Sequence, residues 1–260
     1  MPVLAQILAE TRTRVAQLQP QAAELARLAR QAPQAKPFLD QPGKQVGVIA
    51  EVKRRSPSQG SIRPDLDSVA VATSYQRGGA EAVSVLTEER HFGGSIDDLR
   101  RVAGAVSVPV LRKDFIIDEA QILEARSAGA SAVLLIVRIL DGERLRALAA
   151  AVREWGMTPL IEIHDAVELE AALDALPGVL GINARDLNTL EMNTDNAIAV
   201  MSAIPPNVVL VAESGVQRRD DVERLAAAGA DFVLVGTSVA RQDDHEQAVR
   251  ALTGVRRVPR

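Results

Sequence analysis

Residues Gly129–Val137 read GASAVLLIV: a glycine, two small residues, then six unbroken apolar residues. Glycine behind a helix supplies the left-handed cap that ends it. A short continuous run of Val, Ile and Leu is the pattern of a parallel strand covered on both faces. The same unit recurs at Gly78-Gly79-Ala80 and Gly229-Ala230-Asp231, each just before another apolar run. Eight runs follow one another along the chain: Val46–Val52, Ala82–Leu86, Val108–Leu111, Ala132–Val137, Thr158–Ile163, Val179–Ile182, Val208–Ala212 and Phe232–Val235. Amphipathic stretches separate them, among them Asp118–Ala128, Gly142–Trp155, Ala166–Leu176 and Asp220–Ala228. Strands alternating with helices mean βαβ units. Eight such units fit a closed (β/α)8 TIM barrel better than an open doubly wound sheet, and the chain's 260 residues match the length of that fold.

The N-terminal residues stand apart from this repeat. Leu4, Ile7, Leu8, Val15 and Leu18 recur near helical spacing, Leu25 and Leu28 suggest a second helical piece, and Pro33, Pro37, Pro42 and Gly43 break the pattern. The chain is therefore expected to be a single domain, residues 1–260, with a helical extension over 1–45 and a barrel over 46–260. A net charge of −4 argues against a nucleic-acid partner. With no cysteine there is no disulfide, thiolate metal site or cysteine nucleophile, which fits a reducing cytoplasm. No apolar stretch approaches the length of a membrane helix, and Glu10, Arg12 and Arg14 interrupt the segment where a secretory leader would be apolar. A cytoplasmic protein without membrane contact is expected.

Function shows where charge interrupts the strands. Glu51 and Lys53 end the first run, two apart and so on one side of it. Lys113 follows the third run, Glu162 lies in the fifth and Glu213 follows the seventh; Asn183 and Arg185 follow the sixth. All stand at C-terminal strand ends, the face where this barrel builds active sites. Single charges there are as often solvated strand ends, and Glu51 has a buried structural ion pair as its competing reading. A set on consecutive odd strands is harder to explain so.

Gly215 follows Glu213-Ser214, and Gly236-Thr237-Ser238 follows the eighth run. Loops after strands seven and eight are the frequent phosphate site of the fold; small residues let backbone N–H groups approach an anion. Tight βα turns would use the same glycines. Ser56, after the first strand, offers a further hydroxyl. There is no P-loop and no GxGxxG after a strand. His91, His164 and His245 lack metal-ligand spacing and are expected to be structural, with His164 near the mouth. Trp155 is expected to pack a helix end. Phe92 and Phe115 follow strand ends, where an aromatic substrate would need flat apolar walls.

The segment Ile49–Ser58 (IAEVKRRSPS) resembles the signature of the indole-3-glycerol-phosphate synthase family, and so do Val83–Ser95 (VSVLTEERHFGGS), Leu111–Asp118 (LRKDFIID), Gln121–Ala130 (QILEARSAGA), Gly181–Leu187 (GINARDL), Ala212–Gly215 (AESG) and Leu234–Ser238 (LVGTS). The likeness runs from about Val46 to Ala240 and loosely includes the N-terminal helix. Departures are small: Ala184 stands where many members carry a second asparagine, and Ser131 replaces a common aspartate.

The resemblance implies ring closure, decarboxylation and dehydration of 1-(2-carboxyphenylamino)-1-deoxyribulose 5-phosphate to indole-3-glycerol phosphate in tryptophan biosynthesis, with no metal and no organic cofactor, by a monomer or homodimer. It implies Lys113 as general acid in ring closure and Lys53 as the group that holds a substrate anion. It gives Glu162 the base or proton-shuttle role in dehydration, Glu51 the orientation of the lysines, and Glu213 a cationic intermediate or the placing of Lys53. Asn183 would hydrogen-bond the reacting region and Arg185 would take the carboxylate. Ser56, Ser214, Gly215, Gly236 and Thr237 would cradle the phosphate, Phe92 and Phe115 would flank the anthranilate ring, and the N-terminal extension would cover the mouth. Two other readings of the residues stay open: a non-catalytic sugar-phosphate-binding barrel, and an enzyme like phosphoribosylanthranilate isomerase, whose usual cysteine base this chain lacks.

Overall fold

The computed structural model describes residues 3–39 and 41–260. Its centre is a ring of eight strands: β1 (Gly47–Val52), β2 (Ala82–Leu86), β3 (Val110–Lys113), β4 (Ala132–Ile136), β5 (Thr158–Ile163), β6 (Val179–Asn183), β7 (Val209–Glu213) and β8 (Phe232–Val235). Every pairing is parallel, each strand lies beside its neighbours in sequence, and β8 returns to β1 with Gly47 opposite Phe232, so the sheet closes. The expected (β/α)8 TIM barrel is the fold observed.

Period-two alternation divides each strand between two cores. Ile49, Leu111, Leu134, Leu160, Val211 and Leu234 fill the barrel interior. Val48, Val83, Val133, Ile161, Leu210 and Val233 face the surrounding helices. With both faces covered by apolar packing, the strands read as continuous apolar runs rather than as alternating ones. Gly79, Gly129 and Gly229, the repeated glycines, all adopt positive φ (97°, 89° and 93°), as a helix-ending turn before a strand requires.

Two sequence expectations shift at their edges. The third strand runs to Lys113 rather than ending with the apolar residues at Leu111, because backbone pairing continues through the charged pair: Leu86 lies opposite Lys113. The stretch Ala166–Leu176 is not one helix. Asp165 caps the amides of Val167 and Glu168, a 3-10 turn covers Ala166–Glu168, the α-helix spans Leu169–Asp174, and Leu176 has a φ of 54°.

Before the barrel come α1 (Val3–Leu18) and α2 (Ala22–Gln31), joined by a 3-10 turn that contains Pro20. The buried face of α1 is Leu4, Ile7, Thr11, Val15 and Leu18, and Leu4 and Ile7 pack with Phe115 in the interior cluster. Charge fixes the rest of α1. Arg14 donates to Asp114 (3.3 Å) and to both oxygens of Glu124 (2.9 Å). Those two acids also hold Arg112, which is fully buried on the helix side of β3, at 3.0 and 2.8 Å. Trp155 ends its helix and packs on the core with Arg30 over its ring. Among the described residues, no helix is long and apolar enough to cross a membrane.

Candidate active site

The strands' C-terminal ends surround a cavity of about 470 Å³. All fourteen residues singled out in the sequence line it: Glu51, Lys53, Ser56, Phe92, Lys113, Phe115, Glu162, Asn183, Arg185, Glu213, Ser214, Gly215, Gly236 and Thr237. Register brings them together. Glu162 on β5 lies opposite Gly181 on β6, and Asn183 on β6 lies opposite Glu213 on β7.

Gly181 is the reason two glutamates fit on nearly adjacent strands. A Cβ there would overlap Glu213 Oε1 and lie 3.2 Å from Glu213 Cδ. Without a side chain at 181, the Glu213 carboxylate fills that space and reaches the barrel axis. Lys113 Nζ then stands 3.2 Å from Glu162 Oε2 and 3.4 Å from Glu213 Oε2. A second pair lies on β1 and just beyond it: Lys53 Nζ is 2.8 Å from Glu51 Oε1. The expectation that Glu213 places Lys53 is corrected here. Glu213 contacts Lys113, and Lys53 takes its carboxylate from its own strand end, because residues two apart share a side of the strand.

Burial and neighbouring charge set the protonation pattern. Desolvation alone would lower Lys113, but the pull of Glu162, Glu213 and Glu51 outweighs it and holds the ammonium above the ordinary lysine range. Desolvation also opposes ionisation of Glu162, yet Lys113 and His164 bring it below the usual carboxylate value. Glu213 goes the other way. Burial dominates, Lys113 offsets it in part, and the negative charge of Glu162 adds to it, so its carboxyl is pushed well above the ordinary range. The same neighbours thus move the two carboxyls in opposite directions, Glu162 down beside the lysine and Glu213 up.

Across the ring from β3 are the turns after β7 and β8. Ser214 and Gly215 both take positive φ (67° and 85°). Asn183 Oδ1 accepts from Ser214 Oγ (2.8 Å) and from the Arg185 amide (3.0 Å), which ties the sixth and seventh strand ends together. Gly236 precedes the short helix Thr237–Ala240, whose first turn has no side-chain cap. Gly236 also makes room for chemistry: a Cβ there would stand 2.5 Å from Glu51 Oε1. The Arg185 guanidinium donates to Leu190 O (2.8 Å), and among the described residues it has no carboxylate partner. Burial lowers it, but it remains a cation facing the cavity.

The remaining wall is apolar. The rings of Phe92 and Phe115 lie 6.2 Å apart at 40°, with Leu4 and Ile7 of α1 above and Leu134, Leu187 and Met192 nearby. Sequence reading did not single out Leu134, Leu187 and Met192. Leu134 alternates with Leu135 as any barrel strand would, and the loop that carries Leu187 and Met192 has no periodicity to place it. The loop after β1 folds over this side. Arg54 holds both oxygens of Asp98 (2.6 and 3.0 Å), and Arg241 donates to Gln59 (2.9 Å).

The histidines divide. His245 Nδ1 lies 3.1 Å from Val239 O, as a structural residue does. His91 Nε2 lies 3.0 Å from Glu10 and clusters with it and Glu88, two acids that line a separate groove beside α1. Glu88 there accepts the amides of Arg90, His91 and Phe92, so hydrogen bonding accounts for the cluster. His164 does not line the cavity; it lies behind Glu162, buried, with both ring nitrogens lacking a hydrogen bond.

Known proteins were compared with this chain and site. A family model described as indole-3-glycerol phosphate synthase matches residues 4–252. Proteins of that name from Nocardioides sp. and Mycobacterium ulcerans are 50% and 49% identical to it, over 80% of this chain and 80% of the first relative, and over 82% and 78% for the second. Among solved structures, a 3-hexulose-6-phosphate synthase from Salmonella typhimurium superposes with a TM-score of 0.65 at 13% identity, covering 80% of this chain and 96% of that one; at that identity the likeness is of fold. With half of its residues shared across four-fifths of its length, and a family model that spans residues 4–252, the chain belongs to the indole-3-glycerol phosphate synthase family.

Proposed function

We propose that the cavity closes the indole ring of 1-(2-carboxyphenylamino)-1-deoxyribulose 5-phosphate, releasing CO₂ and water to give indole-3-glycerol phosphate. One observation carries this reading: a buried ammonium, Lys113, held by Glu162 and Glu213 across the ring from two glycine turns.

The substrate phosphate sits at the turns Ser214-Gly215 and Gly236-Thr237, on backbone amides and the N-terminus of the helix Thr237–Ala240, with Ser56 closing from the β1 side. The anthranilate ring lies against Phe92 and Phe115, and its carboxylate meets Arg185, whose planar fork binds such a group bidentately. Substrate held at both ends places the ketone between them, near Lys113. As the aromatic ring carbon attacks the ketone carbon, negative charge grows on the ketone oxygen, and Lys113 donates its proton there. Loss of CO₂ restores aromaticity. The hydroxyl formed on closure then leaves as water, aided by a proton from Lys53, while Glu51 or Glu162 takes the proton from the ring. Glu213, whose carboxyl burial pushes upward, keeps Glu162 and Lys113 in place, and Asn183 hydrogen-bonds the reacting region. Leu4 and Ile7 of α1 exclude water from above. We place the enzyme in the cytoplasm as one domain acting as a monomer or homodimer on a small phosphorylated substrate, with no nucleic-acid partner.

Formation of indole-3-glycerol phosphate, followed by fluorescence with no metal added, tests the reaction; substrate that binds in calorimetry without turnover would refute it. Lys113→Ala should abolish turnover while a phosphate-bearing substrate analogue still binds, since the anion contacts lie on other strands. Normal turnover in that variant would remove Lys113 from the acid role.

A further inference from the structure

The roles above leave a buried imidazole beside Glu162 unused. His164 directly follows β5, two residues after Glu162, and its side chain is 3% exposed. Its Nε2 lies 3.4 Å from Glu162 Oε1, on the side of the carboxylate turned away from Lys113. Its Nδ1 lies 3.4 Å from Glu168 Oε2. Glu168 is itself fixed: it accepts from Arg138 Nε (2.7 Å) and from the His164 amide (2.7 Å). Arg138, from the segment after β4, also pairs with Asp165 and Asp186. From the helix Thr194–Met201, Asn196 donates to His164 O (3.1 Å). The imidazole thus stands between two carboxylates, one in the cavity and one anchored outside it.

Among the described residues, Glu162 Oε1 and both ring nitrogens are buried without a hydrogen bond. Buried polar atoms left so are costly, and a small tightening of the two 3.4 Å approaches would satisfy all three. Resting on the functional reading above, we propose that His164 is a positioning residue for Glu162: from behind, it orients the carboxylate toward Lys113 and biases its charge for proton transfer in the cavity. Against the cost of burial, Lys113 first and then His164 draw Glu162 below its ordinary range.

The test uses the full-length enzyme and two substitutions. His164→Ala should lower kcat about 10- to 100-fold, the cost of letting a reacting group shift by about an ångström. KM should change by less than about threefold, because the phosphate turns lie on other strands. The acid limb of the kcat–pH profile should move to higher pH, since Glu162 loses a positive neighbour. His164→Gln keeps a hydrogen-bond donor without the charge; it should recover most of kcat yet leave the acid limb displaced. A merely structural histidine would not separate those two readouts. An Ala variant with wild-type kcat and an unmoved limb overturns the proposal. Should neither variant fold, the wild-type protein decides by NMR without substrate: ¹³C titration of the Glu162 carboxyl and ¹⁵N titration of His164 must share inflections, and independent curves overturn it. If the curves are shared but the wild type forms no indole-3-glycerol phosphate, the reaction assigned to the cavity falls and the His164–Glu162 coupling stands.

Discussion

Gly181→Ala tests whether the glutamate pair depends on a missing side chain. The added Cβ would overlap Glu213 Oε1 and lie 3.2 Å from its Cδ, with Leu160 at an ordinary 3.5 Å. Contact at van der Waals distance requires the carboxylate to retreat by about 1 Å. That retreat is cheap for folding. The displaced atoms are the end of a flexible side chain, so the cost should be at the low side of the roughly 1–3 kcal/mol of core overpacking. Replacing glycine also returns about 0.4–1 kcal/mol through the unfolded chain. In a protein of 260 residues, a net loss near 1 kcal/mol lowers Tm by about 2–4 °C. Catalysis should suffer far more. Glu213 helps hold Lys113, at 3.4 Å, and an ångström of misplacement costs about 100-fold. We expect kcat to fall by about that factor in the fluorescence assay, with KM nearly unchanged. Glu213→Asp, one methylene shorter, should be impaired alone, but adding Gly181→Ala to it should cost little more. A Gly181→Ala enzyme with wild-type kcat would refute the packing argument, and full additivity of the two substitutions would show that they act independently.

Two further outcomes follow from charge burial elsewhere. Arg112→Met leaves Asp114 and Glu124 buried with Arg14 as their remaining cation; breaking such a network costs about 3–5 kcal/mol, so thermal melts should show a large loss of Tm at neutral pH, and an unchanged Tm would refute the network's importance. Asp186 is held down to about 2 by the Thr189 amide first, then by the Asn188 amide and Arg138. A carboxyl lowered in the folded state stabilises above its unfolded value and loses that contribution as pH falls through the folded one. The Tm difference between wild type and Asp186→Asn should therefore be present at pH 7, shrink below about pH 4, and vanish near pH 2. It should be small, because Asp186 is largely solvated, and a difference that grew on acidification would contradict the assignment.

How much of this was legible depended on whether a residue's task is written in its own type. Lys113, Glu162 and Glu213 announced themselves because charge inside an apolar strand is expensive and must be used. The glycines at 215 and 236 were legible for a similar reason: small residues directly after a strand leave amides open. Gly181 was not. A glycine within a strand reads as a weak position, and its value lies in an atom of the neighbouring strand that only the register Asn183–Glu213 brings near.

Arg112 and His164 were hidden by a different cause. Arg112 adjoins a charge that alternation sends into the cavity, and His164 falls just past the end of β5, where alternation no longer places it. Arg112, one residue from Lys113, turns outward, where the barrel's helices should demand an apolar group. It is tolerated because Asp114 and Glu124, two and twelve residues further on, converge on it, and Arg14 of α1 holds the same two acids. His164, two residues from Glu162, depends likewise on Glu168 and Arg138 from neighbouring turns. Strand periodicity predicts the direction of a side chain but not its company. In a barrel, the inward direction is shared by all eight strands, so inward charges find one another by symmetry and the cavity can be inferred. Outward and trailing charges have no common axis. Their partners come from whichever helix or loop packs outside, which is why the layer supporting the acid–base groups had to be seen in three dimensions.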